Sequence, residues 1–175
     1  ALFPRKGYYL SASTNVAFGG PDNRYNEASI KSLWATSYGA HTFNFALEGS
    51  GIYGRDSNEQ NSFGSSGLGF TLGGFQHLSA YATDQFIGNY LLYGRMTYLN
   101  NLQNFTLPGL TNNVLGSSLE IGDVWQTKRD FGHGPCKKSI SMFLGGNSVI
   151  GPLYFGFALA PKGVWNAYLQ MGRVF

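Results

Sequence analysis

The segment from Val164 to Phe175 alternates with a period of two. Trp165, Ala167, Leu169, Met171 and Phe175 fall on one face, and Asn166, Tyr168, Gln170 and Gly172 on the other. Successive side chains of a β-strand point to opposite faces, so this segment presents one apolar and one polar surface. Apolar outward and polar inward over about ten residues is the pattern of a strand in a transmembrane β-barrel.

Composition agrees with that reading. Charged residues make up 12% of the chain and aromatic residues 16%, whereas an ordinary soluble domain carries roughly 25% charge. No segment approaches the run of about 20 apolar residues that a membrane helix needs. The mean hydropathy is near zero because polar and apolar positions alternate. The length suits a single domain covering residues 1–175. Lys128, Arg129, Lys137 and Lys138 are the one basic cluster. They read as a solvated loop able to touch anionic lipid headgroups, and nucleic acid is not expected as a partner. Cys136 is the single cysteine, which excludes an internal disulfide framework. No charged-apolar-small leader opens the chain, so Ala1 is expected to begin a mature product.

Turn residues divide the chain into about eight strand candidates. They run from about Gly7 to Phe18, Ala28 to Tyr38, His41 to Tyr53, Tyr90 to Leu99, Val114 to Trp125, Ser139 to Gly145, Pro152 to Ala160 and Val164 to Phe175. The expected fold is all-β: a transmembrane antiparallel up-and-down β-barrel. Residues from about Arg55 to Asn89, rich in Gly, Ser and Asn, form a connection longer than usual, which marks function or disorder. With a periplasmic C-terminus, the longest loops fall on the extracellular side, as in outer-membrane barrels.

Three segments resemble a known family. Phe3-Pro4-Arg5-Lys6-Gly7 looks like the start of a late barrel strand in the BamA-like outer-membrane assembly and secretion superfamily. Leu72-Gly73-Gly74-Phe75-Gln76-His77-Leu78-Ser79-Ala80-Tyr81 resembles the tip of the long sixth extracellular loop of those barrels. Leu119 to Trp125, Gly151 to Phe155 and Gly172 to Phe175 look like their closing strands. The likeness is greatest to the barrel part of patatin-like outer-membrane phospholipases. It implies a bacterial outer-membrane location, the loop motif Gly73, Gly74, Phe75, Leu78, Ser79, Ala80 and Tyr81, and an insertion signal at Phe175 read by the barrel assembly machinery. The chain is similar to the C-terminal half of such a barrel, without periplasmic repeats or a patatin domain. Gly64-Ser65-Ser66-Gly67 has the wrong spacing for a nucleophile elbow. The family's loop tip carries an Arg-Gly pair whose arginine reaches an acidic residue on the wall. Ser79-Ala80 stand there, so that salt bridge is missing.

Alternation points Lys31, Glu48, Arg95 and Glu120 inward. Buried charges must be paired, so these four are expected to form a structural polar network, with an ion path as the alternative. Arg95 is the natural partner for Glu120. His77 and Ser79 could suggest a base and a nucleophile, but nothing in the sequence fixes the third residue, with Asp84 and Glu59 as bare guesses. His41, His77 and His133 are too dispersed for a metal site. Tyr38, Tyr90, Tyr98, Trp34 and Trp165 read as interfacial girdle residues. The expectation is a non-enzymatic outer-membrane barrel without cofactor or metal, partnered by membrane lipids and by a second copy packed through the first and last strands. The alternatives are an excised half of a patatin-type translocation barrel and, third, a small lipid-modifying barrel enzyme.

Overall fold

A computed structural model of the chain describes residues 3–16, 26–53, 70–83, 85–126 and 129–172. Its strands in chain order are β1 (Gly7–Val16), β2 (Asn26–Tyr38), β3 (His41–Tyr53), β4 (Phe70–Leu72), β5 (Phe86–Gly88), β6 (Tyr90–Asn101), β7 (Thr111–Trp125), β8 (Lys137–Ser148), β9 (Gly151–Ala160) and β10 (Val164–Met171). Eight of them form one antiparallel sheet in the order β1-β2-β3-β6-β7-β8-β9-β10, and β4 pairs with β5 as a separate small hairpin. No helix among the described residues is long and apolar enough to cross a membrane.

The register sorts the side chains into rows, because residues directly opposite each other on paired strands share a face. One row crosses the whole sheet: Tyr8, Trp34, Phe45, Met96, Leu119, Ile140, Leu159 and Trp165. Every member is large, and every one is exposed. The neighbouring row on the opposite face is Ala35, Asn44, Thr97, Ser118, Ser141, Ala158 and Asn166. These are small or polar, and all but Asn166 are buried. The sheet is therefore apolar outside and small and polar inside.

The inner face is curved enough for Phe3, which precedes β1, to pack on the far strands. Its ring lies 5.8 Å from that of Phe143 on β8 and 5.4 Å from that of Tyr154 on β9. Leu99 and Val114 complete this lower cluster. A second cluster of Leu72, Leu78, Leu91 and Tyr93 joins the hairpin to the wall higher up. Glycine makes room for the rings: a Cβ on Gly156 would sit 2.5 Å from the Met142 carbonyl oxygen and 2.7 Å from Phe143 Cβ. Neither atom can swing aside, so Gly156→Ala is expected to cost about 1–3 kcal/mol. A Cβ on Gly49 meets only Ile30 and Leu92 side-chain atoms, at 3.6 and 4.0 Å, so Gly49→Ala should stay within about 0.5 kcal/mol. Urea unfolding midpoints of the two variants check the contrast.

Several expectations need correcting. The sheet is not closed among the described residues: β1 pairs only with β2, and β10 only with β9. The physical reason lies on the inner face. An eight-stranded barrel leaves room only for its own side chains, whereas here a folded loop occupies that face. The connection expected from Arg55 to Asn89 holds the β4–β5 hairpin and a compact tip between its strands. Lys137 and Lys138 are not loop residues but open β8. Tyr90 is no girdle residue: it is 7% exposed, because Phe131 covers it and Trp125 at ring distances of 5.8 and 5.2 Å. Phe18, Glu59, Gly64 to Gly67, Asp84, Lys128 and the expected insertion signal Phe175 lie outside the described residues.

Candidate functional site

The loop tip from Gly73 to Tyr81 lies against the inner face, and its shape follows from two glycines. Gly73 and Gly74 have φ of 128° and 99°, a region that only glycine enters without strain. A Cβ on Gly73 would also lie 2.0 Å from the Ala82 carbonyl oxygen. Four backbone bonds close the tip on itself. Gly73 N donates to His77 O (2.8 Å), His77 N to Gly74 O (3.0 Å), Gly74 N to Tyr81 O (3.0 Å) and Tyr81 N to Leu78 O (3.0 Å). Gln76 and Leu78 are held at φ of 59° and 74° although neither is glycine, and both are buried. Non-glycine residues persist there only when their surroundings fix them.

The surroundings are the wall. Ser79 donates twice to the Glu120 carboxylate, from its backbone N (2.5 Å) and its Oγ (2.9 Å), while Ser118 Oγ adds a third bond at 3.2 Å. Gln76 N donates to Ser79 Oγ at 2.9 Å, which fixes the hydroxyl. The Gln76 carbonyl accepts from Tyr93 Oη (2.8 Å) and Arg95 Nη1 (2.6 Å), and its side-chain oxygen accepts from Thr97 at 3.1 Å. Ala80 N donates to Ser139 Oγ, and Asn166 Nδ2 to the Ser79 carbonyl. Phe75 sits among Tyr168, Phe143 and Tyr154, with ring centroids at 4.7, 5.2 and 5.5 Å. One short loop thus binds to β6, β7, β8, β9 and β10.

The four charged residues singled out by alternation share this face but not one network. Glu48 takes Lys31 at 3.5 Å and His77 Nε2 at 3.2 Å. The Lys31 side chain is nonetheless 59% exposed, because β2 lies near an open edge. Arg95 and Glu120 are register partners, yet among the described residues each binds the loop instead: Arg95 holds Gln76, and Glu120 holds Ser79. Arg95 is therefore not the ion-pair partner of Glu120. Two backbone and hydroxyl donors take that place, and they cost less to desolvate than a second charge.

Ser79 and His77 are not brought together as nucleophile and base. The Ser79 hydroxyl is committed to Glu120, whereas His77 faces Glu48 and packs edge-on to Tyr93. His41 bonds Tyr98 at 2.7 Å, and the His133 carbonyl accepts from Trp125 Nε1, so the three histidines stay apart. Among the described residues no three His, Cys, Asp or Glu side chains converge. Cys136 is a free, half-buried thiol.

Sequence reasoning missed Gln76 as the centre of the tip, and it missed the wall donors Tyr93 and Thr97 and the wall acceptor Ser139. A row of inward Ser and Thr was the available signal, since such residues on a buried face need partners. A further pair went unseen: Lys137 bonds Asp123 at 2.5 Å and lies 4.5 Å over the Phe86 ring. This clamps β5 to the wall. Chemically, the arrangement holds a loop by a buried carboxylate, a guanidinium and an aromatic box. No protein-family model matches the chain, and no curated protein matches it.

Proposed function

We propose that the chain is the wall of a membrane-spanning β-barrel with an inward-folded plug loop, and that its role is structural or translocating, without catalysis. The observation that carries this reading is the exposed apolar row from Tyr8 to Trp165, backed by a row of small and polar residues. A soluble protein rarely exposes so large an apolar surface, whereas lipid requires one. The resemblance to BamA-like barrels of the patatin-type class supports the bacterial outer membrane as the location, and the barrel assembly machinery as the partner during insertion. Ser79, standing where that family carries an arginine, keeps a bond from loop to wall by neutral donors.

The two edges, unpaired among the described residues, favour a wall wider than eight strands. Each open backbone group in lipid costs several kcal/mol, so β1 and β10 must be covered. Closure of β1 on β10 within one chain would leave no space for the loop. A second copy, pairing its β10 with this β1, would complete a wider barrel around both loops. The test uses Leu10→Cys and Leu169→Cys in a Cys136→Ala background, reconstituted in bilayers and oxidised. Disulfides between chains are expected. A bond formed within one chain would overturn the wider wall.

A further inference from the structure

The outward face carries a groove of about 800 Å³ whose cause is Gly94. In the row Leu47, Gly94, Ile121, Lys138 the glycine leaves a gap between two branched side chains. Phe45, Met96 and Leu119 in the next row wall the groove below, and Leu159 and Pro161 close its far end. All of these are apolar. Arg95, Glu120 and Ser139 also border the groove but turn their side chains to the loop on the inner face, whereas Lys138 lines it and is exposed.

Lys138 differs from its neighbour in a way the sequence does not show. Lys137 turns inward to Asp123 and Phe86, so Lys138, one residue on, points outward. Among the described residues Lys138 makes no ion pair. The β8–β9 register, in which Ile140 faces Leu159, places Lys138 level with Pro161 when carried two residues further. Lys162, exposed in the turn after β9, therefore stands at the same end. Lys138 thus lines this end of the groove, and Lys162 follows Pro161, which closes it.

We propose that this groove binds an anionic phosphate-bearing membrane lipid, its acyl chain lying over Gly94 and its phosphate between Lys138 and Lys162. The proposal rests on the membrane-spanning reading. A lysine on a lipid-facing wall is tolerated near the interface, where an anionic headgroup supplies its counter-charge. The apolar channel beside it fits the chain attached to that headgroup, and a small soluble anion would leave this channel empty.

The chain of residues 1–175 is reconstituted in phosphatidylcholine vesicles with and without phosphatidic acid. Lipid retained after mild extraction is then counted by native mass spectrometry. Phosphatidic acid is expected to be enriched over phosphatidylcholine. Each lysine replaced by glutamine should lower that enrichment about fivefold, and Lys138→Gln with Lys162→Gln roughly twentyfold. Gly94→Phe keeps both lysines but fills the groove, where a Cβ meets only Leu47 and Ile121 side-chain atoms at 3.4 and 3.7 Å; it should also lose the retained lipid. Undiminished enrichment in the double lysine variant or in Gly94→Phe would overturn the site. A chain that inserts into phosphatidylcholine yet shows no preference would overturn the site alone. A chain that floats with neither vesicle would overturn the membrane reading and the site together.

Discussion

Glu120→Gln is expected to lower stability by about 3–5 kcal/mol and to free the loop tip from the wall. The carboxylate receives the Ser79 N–H and the Ser79 and Ser118 hydroxyls in a buried site. Hydrogen bonds to a charged acceptor contribute about 1.5–3 kcal/mol each, and an orphaned buried donor costs a further share. A glutamine offers one acceptor oxygen and turns its NH₂ group toward donors, so at least one Ser79 bond is lost. The urea midpoint should fall, and protease should cut between β4 and β5 at lower denaturant than in the parent. Ser79→Ala with Glu120→Gln should be strongly non-additive, with a coupling of about 1–3 kcal/mol. Arg95→Met with Glu120→Gln should couple less, because Arg95 Nη1 donates to the Gln76 carbonyl and not to the carboxylate. A larger coupling to Arg95 than to Ser79 would mean that the ion pair, not the serine, holds the loop.

The parts legible in the sequence are those that a local period dictates. Outward Trp34, Phe45, Met96 and Leu119, and inward Asn44, Arg95 and Glu120, follow from alternation along single strands. The strand limits were found to within a few residues wherever Gly or Pro marks a turn, as at Gly39 and at Pro161 to Gly163. Other features depend on pairing between distant residues, which no spacing records. Strands β4 and β5 have three residues each, too few to show a period. Tyr90 looked like a surface aromatic because nothing near it in sequence announces Phe131. The division of labour between Lys137 and Lys138 needs the start of β8 to be known to one residue, since a shift of one swaps the faces. Closure is not legible in the sequence for a related reason. The alternation describes the wall, while the direction in which the loop folds decides how much room the wall must enclose. The missing arginine removes the family's salt bridge, but an anchor needs only donors aimed at Glu120, and backbone geometry at Gln76 and Leu78 supplies that aim.

Phe75→Ala should have the second largest effect, about 3–5 kcal/mol, the range for deleting a ring from a packed aromatic site. The Phe75 ring stands within 4.7 to 5.5 Å of Tyr168, Phe143 and Tyr154, and Phe3 joins them from the chain start. Edge-to-face and tilted pairs of this kind add about 0.5–1.5 kcal/mol beyond area burial. The consequence reaches further than the cavity, because Phe75 adjoins Gln76, whose positive φ is tolerated only while both its neighbours are fixed. With the ring gone, Gln76 can relax, and its carbonyl leaves the Tyr93 and Arg95 donors. Amide exchange at Ser79 should therefore speed up, although Ser79 keeps its own partner. Combining Phe75→Ala with Glu120→Gln should cost less than the sum of the two, since either change alone releases the same unit. Unchanged protection at Ser79 alongside a lower midpoint would mean that the aromatic box and the carboxylate hold the loop independently, and the tip would then not be a single docked element.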